Sequence, residues 1–511
     1  MRYIALTLGP ITRTIELAEN TRGIWAASYI FSYLGKNIIR PFKNRSFLLP
    51  KISDEMFAEG KFCGAGIFPD RYIFKSEDGD FSTLSEQVEK VFDQLASDMT
   101  PVINKLKEEK DVRLRYKIVE ISEVKKFIRG YFKVYFFEKD FEEKMGDNDI
   151  KKSCEKSLSL LEMQDSIVPV TYDKESILYR FFSMVTSSFL AIDAGLNKGF
   201  PSIVEITSDS FKPKHPYEKY IAIVKADGDS MGKAFERVSD ANSLSDALFD
   251  FNVKAAKIIE DFEGMPVYIG GDDLLFFAPI FNKKSIFSLL QDLDDLFHRC
   301  IDEKSSLKSR STHPTLSFGV SISYYKYPML EALDTSGFLL RKAKGYDAPA
   351  NVEKVLKDNI LFSVQKHSGQ TRASLIHKGN TKTLSAINQF LDKYLARDGQ
   401  STLLTSVMHG LRDRQALLTI AVKDNVILSN FFDNNFNEDV HKKNKSFFDD
   451  IKELMRFAYE EYKETGKLES LKYSMPEMMK KEGLPSAEVA AIETVYNTLQ
   501  FIHLVNQRND A

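Results

Sequence analysis

The strongest chemical signal in the sequence is a Gly-Gly-Asp-Asp tetrapeptide with apolar residues on both sides. Gly270 and Gly271 allow a turn with positive φ and leave room for a ligand to approach the backbone. Asp272 and Asp273 are adjacent carboxylates, which repel each other unless a cation lies between them. Oxygen ligands of this kind suit Mg²⁺ or Mn²⁺. A solvated turn without function is the alternative interpretation.

A second candidate element begins at Asp227, which ends an apolar run and would supply a third metal ligand. Backbone amides at the start of the helix predicted next favour phosphate. The members of this turn are Gly228, Asp229, Ser230, Met231, Gly232 and Lys233. A P-loop is excluded because three residues, not four, separate the glycines, and Ala234 stands where Ser or Thr would hold Mg²⁺. A simple helix cap by Asp229 and Ser230 is the alternative.

Lys344 is the predicted ligand of a triphosphate, because a lysine ammonium suits phosphate as a point charge. Residues 341–382 contain nine Lys or Arg and three acids. The alternative for Lys344 is a solvated helix face. His367, in the Gln-Lys-His-Ser-Gly segment at 365–369, is predicted to be a turn residue rather than a catalyst.

To bring these candidate site residues together, the chain must form strands and helices that alternate. Hydrophobic periodicity predicts an α+β unit, then a helical region, then a second α+β unit that begins at Tyr220. The opening of the second unit, YIAIVK at 220–225, echoes YIALTL at 3–8 and indicates two related halves. From about residue 381 onwards, apolar residues at helical spacing predict a helical bundle.

The predicted segments of the first unit are strands at 3–8, 71–74 and 131–137 and helices at 11–34 and 84–106, followed by an apolar helix at 178–196. In the second unit, strands are predicted at 315–323 and 360–364 and a helix at 248–262.

Composition excludes several classes of protein. At about 150 residues per domain, 511 residues predict three or four units. A net charge of −3 excludes a wholly basic nucleic-acid coat. Three well-separated cysteines exclude a zinc ribbon and a disulfide framework. With no long apolar run and no secretory signal, we expect a cytoplasmic protein without a membrane contact.

The motifs together resemble those of a known family. The order strand, acid, helix and Gly-Gly-Asp-Asp hairpin is similar to that of palm domains that perform nucleotidyl transfer. Asp-Gly-Asp-x-Met-Gly-Lys at 227–233, Lys326-x-Pro328, Ala343-Lys344 and the turn at 365–369 resemble the CRISPR polymerase, the large subunit of type III CRISPR effector complexes. The segments at 9–11, 22–32 and 68–72 resemble the first palm of its Cmr-type (III-B) form.

The resemblance implies an α+β fold with two ferredoxin-like palm domains, similar to nucleotidyl cyclases, a helical insertion and an all-α C-terminal domain. The expected domains are a nucleotide-binding first palm at 1–138, a helical inter-palm domain at 139–210, the catalytic palm at 211–378 and a helical domain at 379–511. Glu19 and Gly23 replace the Arg and Asp usual in the first-palm motif.

The resemblance also implies an activity. Two ATP molecules would bind between the palms, with Asp227, Gly228, Asp272 and Asp273 at the metal. The turn at 228–233 and Lys344 would hold the triphosphate. The expected product is a cyclic oligoadenylate made when target RNA binds. The alternatives are transfer of AMP to S-adenosylmethionine, an inactive scaffold, and a stand-alone nucleotide cyclase.

The expected partners are guide RNA, target RNA and other type III effector subunits, including the adjacent backbone and small subunits. No HD nuclease domain is expected, because all eight histidines follow residue 214. No zinc is expected, because Cys154 is the one cysteine of the inter-palm region.

Overall fold

A four-stranded sheet organises the N-terminal part of the chain. Its strands are β1 (Arg2–Gly9), β2 (Phe47–Leu49), β3 (Arg71–Lys75) and β4 (Lys133–Asp140), in the order β2-β3-β1-β4. The structure, a computed structural model, describes residues 1–18, 20–57, 62–105, 118–163, 177, 181, 186–196, 198–208, 212–238, 241–304, 313–346, 357–379, 382–395, 401–436, 438–463 and 486–506.

Helices pack on this sheet and bury it. They are α1 (Ile11–Glu16), α2 (Thr21–Ile39), α3 (Asp80–Lys105) and α4 (Ile121–Tyr131). The helical pattern predicted from Pro10 to about Leu34 is present, but the structure divides it into two helices and the second reaches Ile39. The break is explained by Asn20, whose side chain accepts from the Gly23 amide at 2.9 Å and so begins a new helix. Glu19 lies outside the described residues.

The helical insertion contains α5 (Asp147–Glu162), α6 (Thr186–Asp193) and α7 (Ile203–Thr207). The apolar helix predicted over 178–196 lies partly outside the described residues, and α6 is its described part. Residues 216–219 form a short 3₁₀ turn in the predicted linker.

A six-stranded sheet organises the second unit, in the order β12-β11-β10-β5-β7-β6. Its strands are β5 (Tyr220–Asp229), β6 (Met265–Gly270), β7 (Asp273–Pro279), β10 (Thr315–Tyr324), β11 (Asn359–Gln365) and β12 (Thr371–His377). The short strands β8 (Phe281–Asn282) and β9 (Lys284–Ser285) pair with each other. Its helices are α8 (Met231–Arg237), α9 (Ala241–Asp261), α10 (Ile286–Lys304) and α11 (Met329–Ala343).

The two sheets share one topology. Read in chain order, both units run strand, helix, strand, strand, helix, strand, and their strands lie as β4-β1-β3-β2 and β10-β5-β7-β6. This is the ferredoxin-like arrangement, and β1 and β5 occupy the same central place in it. The interpretation of two related halves, based on the echo between residues 3–8 and 220–225, is therefore confirmed. Strand β12, which extends the second sheet, was not predicted.

The C-terminal region is helical in its described residues, as predicted. It contains α12 (Lys382–Tyr394), α13 (Ser401–Asp413), α14 (Gln415–Ala421), α15 (Asn425–Asn435), α16 (Glu438–Lys463) and α17 (Ala487–Asn506). The two predicted apolar stripes are buried core: Ile387, Phe390, Leu391, Tyr394, Leu395, Ile492, Val495, Tyr496, Leu499 and Ile502. None of the helices in the described ranges is long and apolar enough to cross a membrane.

Candidate active site

The structure brings the three predicted carboxylates to one end of the second sheet. Asp227 lies near the end of β5, and Asp272 and Asp273 lie in the tight turn between β6 and β7, where Gly271 has a φ of +64°. A Cβ atom at Gly228 would lie 2.7 Å from both the Cβ and an oxygen of Asp272. Glycine at 228 therefore allows the hairpin to pack directly on the end of β5.

The electrostatics of the site are those of carboxylates held too close together. Partial desolvation and the charge of Asp227 raise the pKa of Asp272 to about 6. Desolvation and the charges of Asp227 and Asp272 raise the pKa of Asp273 to about 8. Because the Asp273 side chain is exposed to solvent, repulsion by the neighbouring carboxylates explains its raised pKa better than desolvation does. The cluster therefore favours bound protons or a cation.

Lys344 supplies a cation to this cluster. Its side chain is 3% exposed, its ammonium forms an ion pair with Asp227, and it donates to the Gly228 carbonyl at 2.9 Å. Burial lowers the pKa of Lys344, but Asp227 and Asp229 outweigh that effect and raise it above its ordinary value. The alternative of a solvated helix face is wrong, because the residue follows α11 directly into the site.

Asp229 faces the interior of the domain. One of its carboxylate oxygens accepts from Thr315 Oγ1 at 2.8 Å, from Ser317 Oγ at 2.6 Å and from the Asp358 amide at 3.0 Å. The other oxygen is buried and has no hydrogen-bond partner among the residues that the structure describes, and desolvation raises the pKa of Asp229. A nucleotide-binding role for Asp229 stays a prediction, and this burial favours a supporting role beneath the end of β5.

The simple helix-cap alternative is wrong. Ser230 is the N-cap residue of α8, but it has a φ of +60° and its side chain makes no capping hydrogen bond within the described part of the chain. Met231 is buried, whereas Gly232 and Lys233 are exposed. The role of this turn in binding phosphate stays a prediction.

The glycines of the hairpin are required by their neighbours. A Cβ atom at Gly270 would collide with the hydroxyl of Tyr268 on the same strand. Asn252 on α9, a residue that the sequence analysis missed, fixes the tip. With its amide oriented to match donors and acceptors, it donates to the Gly271 carbonyl at 2.9 Å and accepts from the Gly271 amide at 3.0 Å. No local pattern marks Asn252 among other helical asparagines.

The donor set suits Mg²⁺ or Mn²⁺, since Asp227, Asp272, Asp273 and the Gly228 carbonyl are all hard oxygen donors. Lys344 already contacts two of these four groups, so the site accommodates positive charge. As placed, no three His, Cys, Asp or Glu side chains in the described ranges converge closely enough to hold an ion. A metal there would share or displace the lysine contacts.

The two palms meet beside this site. Gly66 of the first palm forms a parallel bridge with Tyr268, with hydrogen bonds to Val267 O at 3.2 Å and from Ile269 N at 2.9 Å. A segment of the first palm thus extends the edge of the strand that leads into Gly270.

The predicted first-palm motif holds that segment in place. Trp25 Nε1 donates to the Gly64 carbonyl at 2.8 Å. Ser32 Oγ accepts from the amides of Ile67 and Phe68, both at 2.9 Å. The motif at 22–32 therefore positions the connection between β2 and β3 against β6.

A cavity of about 370 Å³ lies at the corresponding end of the first palm. Its charged lining residues are Arg13, Asp70, Lys133 and Glu162. Asp70 immediately precedes β3, as Asp272 precedes β7, so it occupies the equivalent place in the repeated fold. Its pKa is raised by desolvation, and its charge contributes to the raised pKa of Asp273. The cavity and the carboxylate cluster therefore lie close enough for their charges to interact.

The duplicated ferredoxin-like fold and its acidic hairpin define a two-palm protein of the nucleotidyl cyclase class. Family comparisons make this specific: residues 220–350 match the second palm domain of Cas10/Cmr2, and residues 3–109 match the N-terminal domain of the CRISPR-associated protein Cmr2. Over these two segments the chain is therefore similar to Cas10/Cmr2 proteins of the Cmr type.

Individual relatives agree with this assignment. The CRISPR system Cmr subunit Cmr2 of Pyrococcus furiosus is 24% identical over 202 residues, which cover 34% of this chain and 22% of that protein. Two structures of a type III-B Cmr-beta complex, one apo and one bound to cognate target RNA, contain a chain with the same fold. Their TM-scores are 0.52 and 0.51 at 10% identity, over 85% of this chain and 77% and 78% of theirs.

Proposed function

We propose that the second palm catalyses metal-dependent nucleotidyl transfer from ATP. The observation that carries this proposal is a cluster of charges beside the junction of the two palms: Lys344 pairs with Asp227, Asp272 packs on Gly228, and the charges of Asp227 and Asp272 act on Asp273. Such a cluster is costly for the protein to maintain, since it raises the pKa of two carboxylates, and phosphoryl transfer is a chemistry that uses it.

The residues divide the work as follows. The three carboxylates and the Gly228 carbonyl would hold Mg²⁺ or Mn²⁺, which supplies activation of a ribose 3′-hydroxyl and stabilisation of charge on the α-phosphate. The turn at 228–233 and Lys344 would bind the triphosphate. In the transfer, the 3′-oxygen forms a bond to the α-phosphorus, the bond from that phosphorus to the bridging oxygen of the β-phosphate breaks, and pyrophosphate leaves.

The biological setting follows from the family. We propose that the chain is the large subunit of a type III CRISPR complex, works with guide RNA and neighbouring subunits, including the backbone and small subunits, in the cytoplasm, and makes a cyclic oligoadenylate when target RNA binds. The Cmr-beta structure bound to cognate target RNA supports this setting only through its shared fold.

A different acceptor is the second candidate. The first-palm cavity contains two carboxylates, Asp70 and Glu162, as well as Arg13 and Lys133. Glu162 is neutralised by Arg71, which donates to it at 2.7 Å, but Asp70 leaves negative charge near the carboxylate cluster. Asp70 would face the positive group of an acceptor such as S-adenosylmethionine, whereas Arg13 and Lys133 would suit the phosphates of a second ATP. An inactive scaffold is the remaining alternative.

The decisive experiment incubates the purified chain, alone and in its RNA-guided complex, with labelled ATP and Mn²⁺. Target RNA and S-adenosylmethionine are each added and omitted, and products are resolved by mass. We expect product from the complex of the native chain with target RNA, and none when that complex contains Asp272→Ala/Asp273→Ala. The matched control is Asp78→Ala/Glu143→Ala, which removes two exposed acids elsewhere.

Each outcome decides between the candidates. A target-dependent oligoadenylate supports the first candidate, and an AMP adduct of S-adenosylmethionine supports the second. Product from the chain alone, without RNA, indicates a stand-alone cyclase. No product from a complex that binds target RNA normally, or an unchanged rate in the double variant, would refute the catalytic proposal.

A further inference from the structure

A second group of functional side chains lies at the far end of the catalytic sheet. Strand β5 begins at Tyr220 and pairs there with Tyr324, the last residue of β10. Asp227 is seven residues further along β5. Because a strand rises about 3.3 Å per residue, this end lies roughly 23 Å from the carboxylates.

Aromatic rings form a connected surface at this end. The Tyr324 ring centroid lies 4.8 Å from that of Tyr325 and 4.5 Å from that of His367. The buried ring of Tyr220 supports Tyr324 from below at 5.8 Å. Tyr324 and Tyr325 are partly exposed and His367 is exposed, so their rings are available to a ligand.

Three lysines lie on the segments that carry these rings, and one of them, Lys366, is half-buried beside Arg372. Lys326 Nζ lies 5.6 Å from the centroid of the Tyr325 ring. Lys219 is held beside it, because its carbonyl accepts from the Tyr325 amide at 2.8 Å. Lys366 begins the turn that presents His367, and that turn is closed by a bond from the Gly369 amide to the Lys366 carbonyl at 2.9 Å.

The positive charge of these lysines is uncompensated. Within the described parts of the chain, the ammonium groups of Lys219, Lys326 and Lys366 form no ion pair with a carboxylate. Two acids on neighbouring segments have hydroxyl partners rather than these lysines: Glu331 accepts from the Tyr327 hydroxyl at 2.7 Å, and Glu218 accepts from Ser208 Oγ at 2.9 Å.

This convergence also accounts for two motifs that the catalytic site does not use. These motifs are Lys326-x-Pro328 and the turn at 365–369. Lys326 and Lys366 are 40 residues apart in the chain, yet both motifs lie at the same end of the sheet. Their meeting depends on the parallel pairing of β10 with β11, in which Ser323 lies beside Gln365.

We propose that Tyr324, Tyr325, His367, Lys219, Lys326 and Lys366, the aromatic–lysine surface, bind single-stranded RNA. Exposed rings provide π faces on which unpaired bases stack, and lysines provide cations for the phosphates between them. This inference does not rest on the proposed catalysis, because it uses none of the carboxylates.

The observations favour RNA over a protein partner. The core of a protein interface is apolar and depleted of charge. Large exposed apolar side chains occur elsewhere in the described residues, notably on α14 and α15: Leu417, Ile420, Val426 and Ile427. The aromatic–lysine surface instead combines rings with uncompensated cations.

The test measures fluorescence anisotropy of a labelled short single-stranded RNA of mixed sequence, titrated with the full chain over a series of salt concentrations. We expect Tyr325→Ala to weaken binding about tenfold, whereas Tyr325→Phe, which keeps the ring, changes it little. Lys326→Ala/Lys366→Ala should weaken binding and make the slope of log K against log salt shallower by about 1.4, at roughly 0.7 per lost phosphate contact.

The matched control is Lys43→Ala/Lys75→Ala, which removes the same charge from the first palm, and its slope should not change. Thermal melts of all variants check folding. Equal loss of affinity in the control pair would mean diffuse electrostatic attraction and would overturn the proposal. Unchanged RNA binding in Tyr325→Ala and Lys326→Ala/Lys366→Ala would also overturn it. The same holds if these variants keep RNA binding but lose a protein subunit of the complex. The binding assay contains no ATP and no divalent ion, so its outcome is independent of the test of the carboxylates.

Discussion

Lys344 Nζ donates to the Gly228 carbonyl at 2.9 Å and forms an ion pair with Asp227, so one buried ammonium contacts two of the four predicted metal donors. The residues are 116 positions apart in the chain. A site built in this way has a resident cation before any metal arrives, and the lysine and a divalent ion compete for, or share, the same oxygens.

We therefore predict that Lys344→Met lowers the free energy of unfolding by about 2 kcal/mol, because it leaves the Asp227 charge partly buried without its partner. Mn²⁺ should raise the melting temperature of this variant more than that of the native chain. Turnover of ATP should fall about 100-fold through loss of a transition-state cation. Thermal melts with and without Mn²⁺ test this prediction, and Lys342→Met, two residues earlier in the chain, is the control. An equal rise in melting temperature with Mn²⁺ in Lys344→Met and in the native chain would contradict it.

A second prediction concerns pH. The folded protein holds protons on Asp272 and Asp273 up to pH about 6 and about 8, whereas the ordinary value is 3.8. Between pH about 4 and about 8 the folded state thus binds more protons than the unfolded state. The free energy of unfolding therefore falls as pH rises over this range.

Melting temperatures measured without divalent ions across this range should decline by several degrees. Asp272→Asn/Asp273→Asn should flatten the decline, and added Mn²⁺ should offset it at the upper end. Activity should move the opposite way, rising with pH because metal ligands must be ionised. A double variant with the native pH profile of stability would rule out these carboxylates as the cause.

Asn252 is predicted to act as a positioning residue for the hairpin. Asn252→Leu keeps the volume but removes both bonds to Gly271, which should lower the free energy of unfolding by about 1–3 kcal/mol. The value of kcat should fall about tenfold with little change in KM, because the change misplaces Asp272 rather than the bound nucleotide. Asn435→Leu is the control, since that side chain bonds only the Phe431 carbonyl of its own helix. A rise in KM alone would argue against this role.

Ser32 is predicted to hold the junction of the palms. Ser32→Ala leaves the Ile67 and Phe68 amides without their acceptor inside the protein, at a cost of about 2 kcal/mol. Limited proteolysis should then cut more rapidly between β2 and β3. Ser97→Ala, whose hydroxyl bonds a carbonyl of its own helix, serves as the control. Identical cleavage rates in the two variants would show that Ser32 does not fix this segment.

The sequence by itself determined the local parts of this protein. Strand β5 with its terminal Asp227, the Gly-Gly-Asp-Asp turn and the apolar stripes of α12 and α17 all follow from periodicity and turn chemistry within a few neighbouring residues. The repeat of the palm was also readable, because both central strands begin with nearly the same residues. Helix ends were less certain, as Asn20 shows, since one side-chain cap divides what periodicity joins.

Only the tertiary structure decided which distant groups share a site. Asn252 and Ser32 carry no local signal of their roles, because each acts on backbone that is at least 19 residues away in the chain. Lys344 was predicted to be a site residue, but its bond to the Gly228 carbonyl, 116 residues away, was not. The same holds for Asp70, which reaches the carboxylate cluster through the pairing of Gly66 with Tyr268. Long-range contacts of this kind depend on how helices, strands and connecting segments pack together, and packing is a property of the whole fold rather than of any short segment.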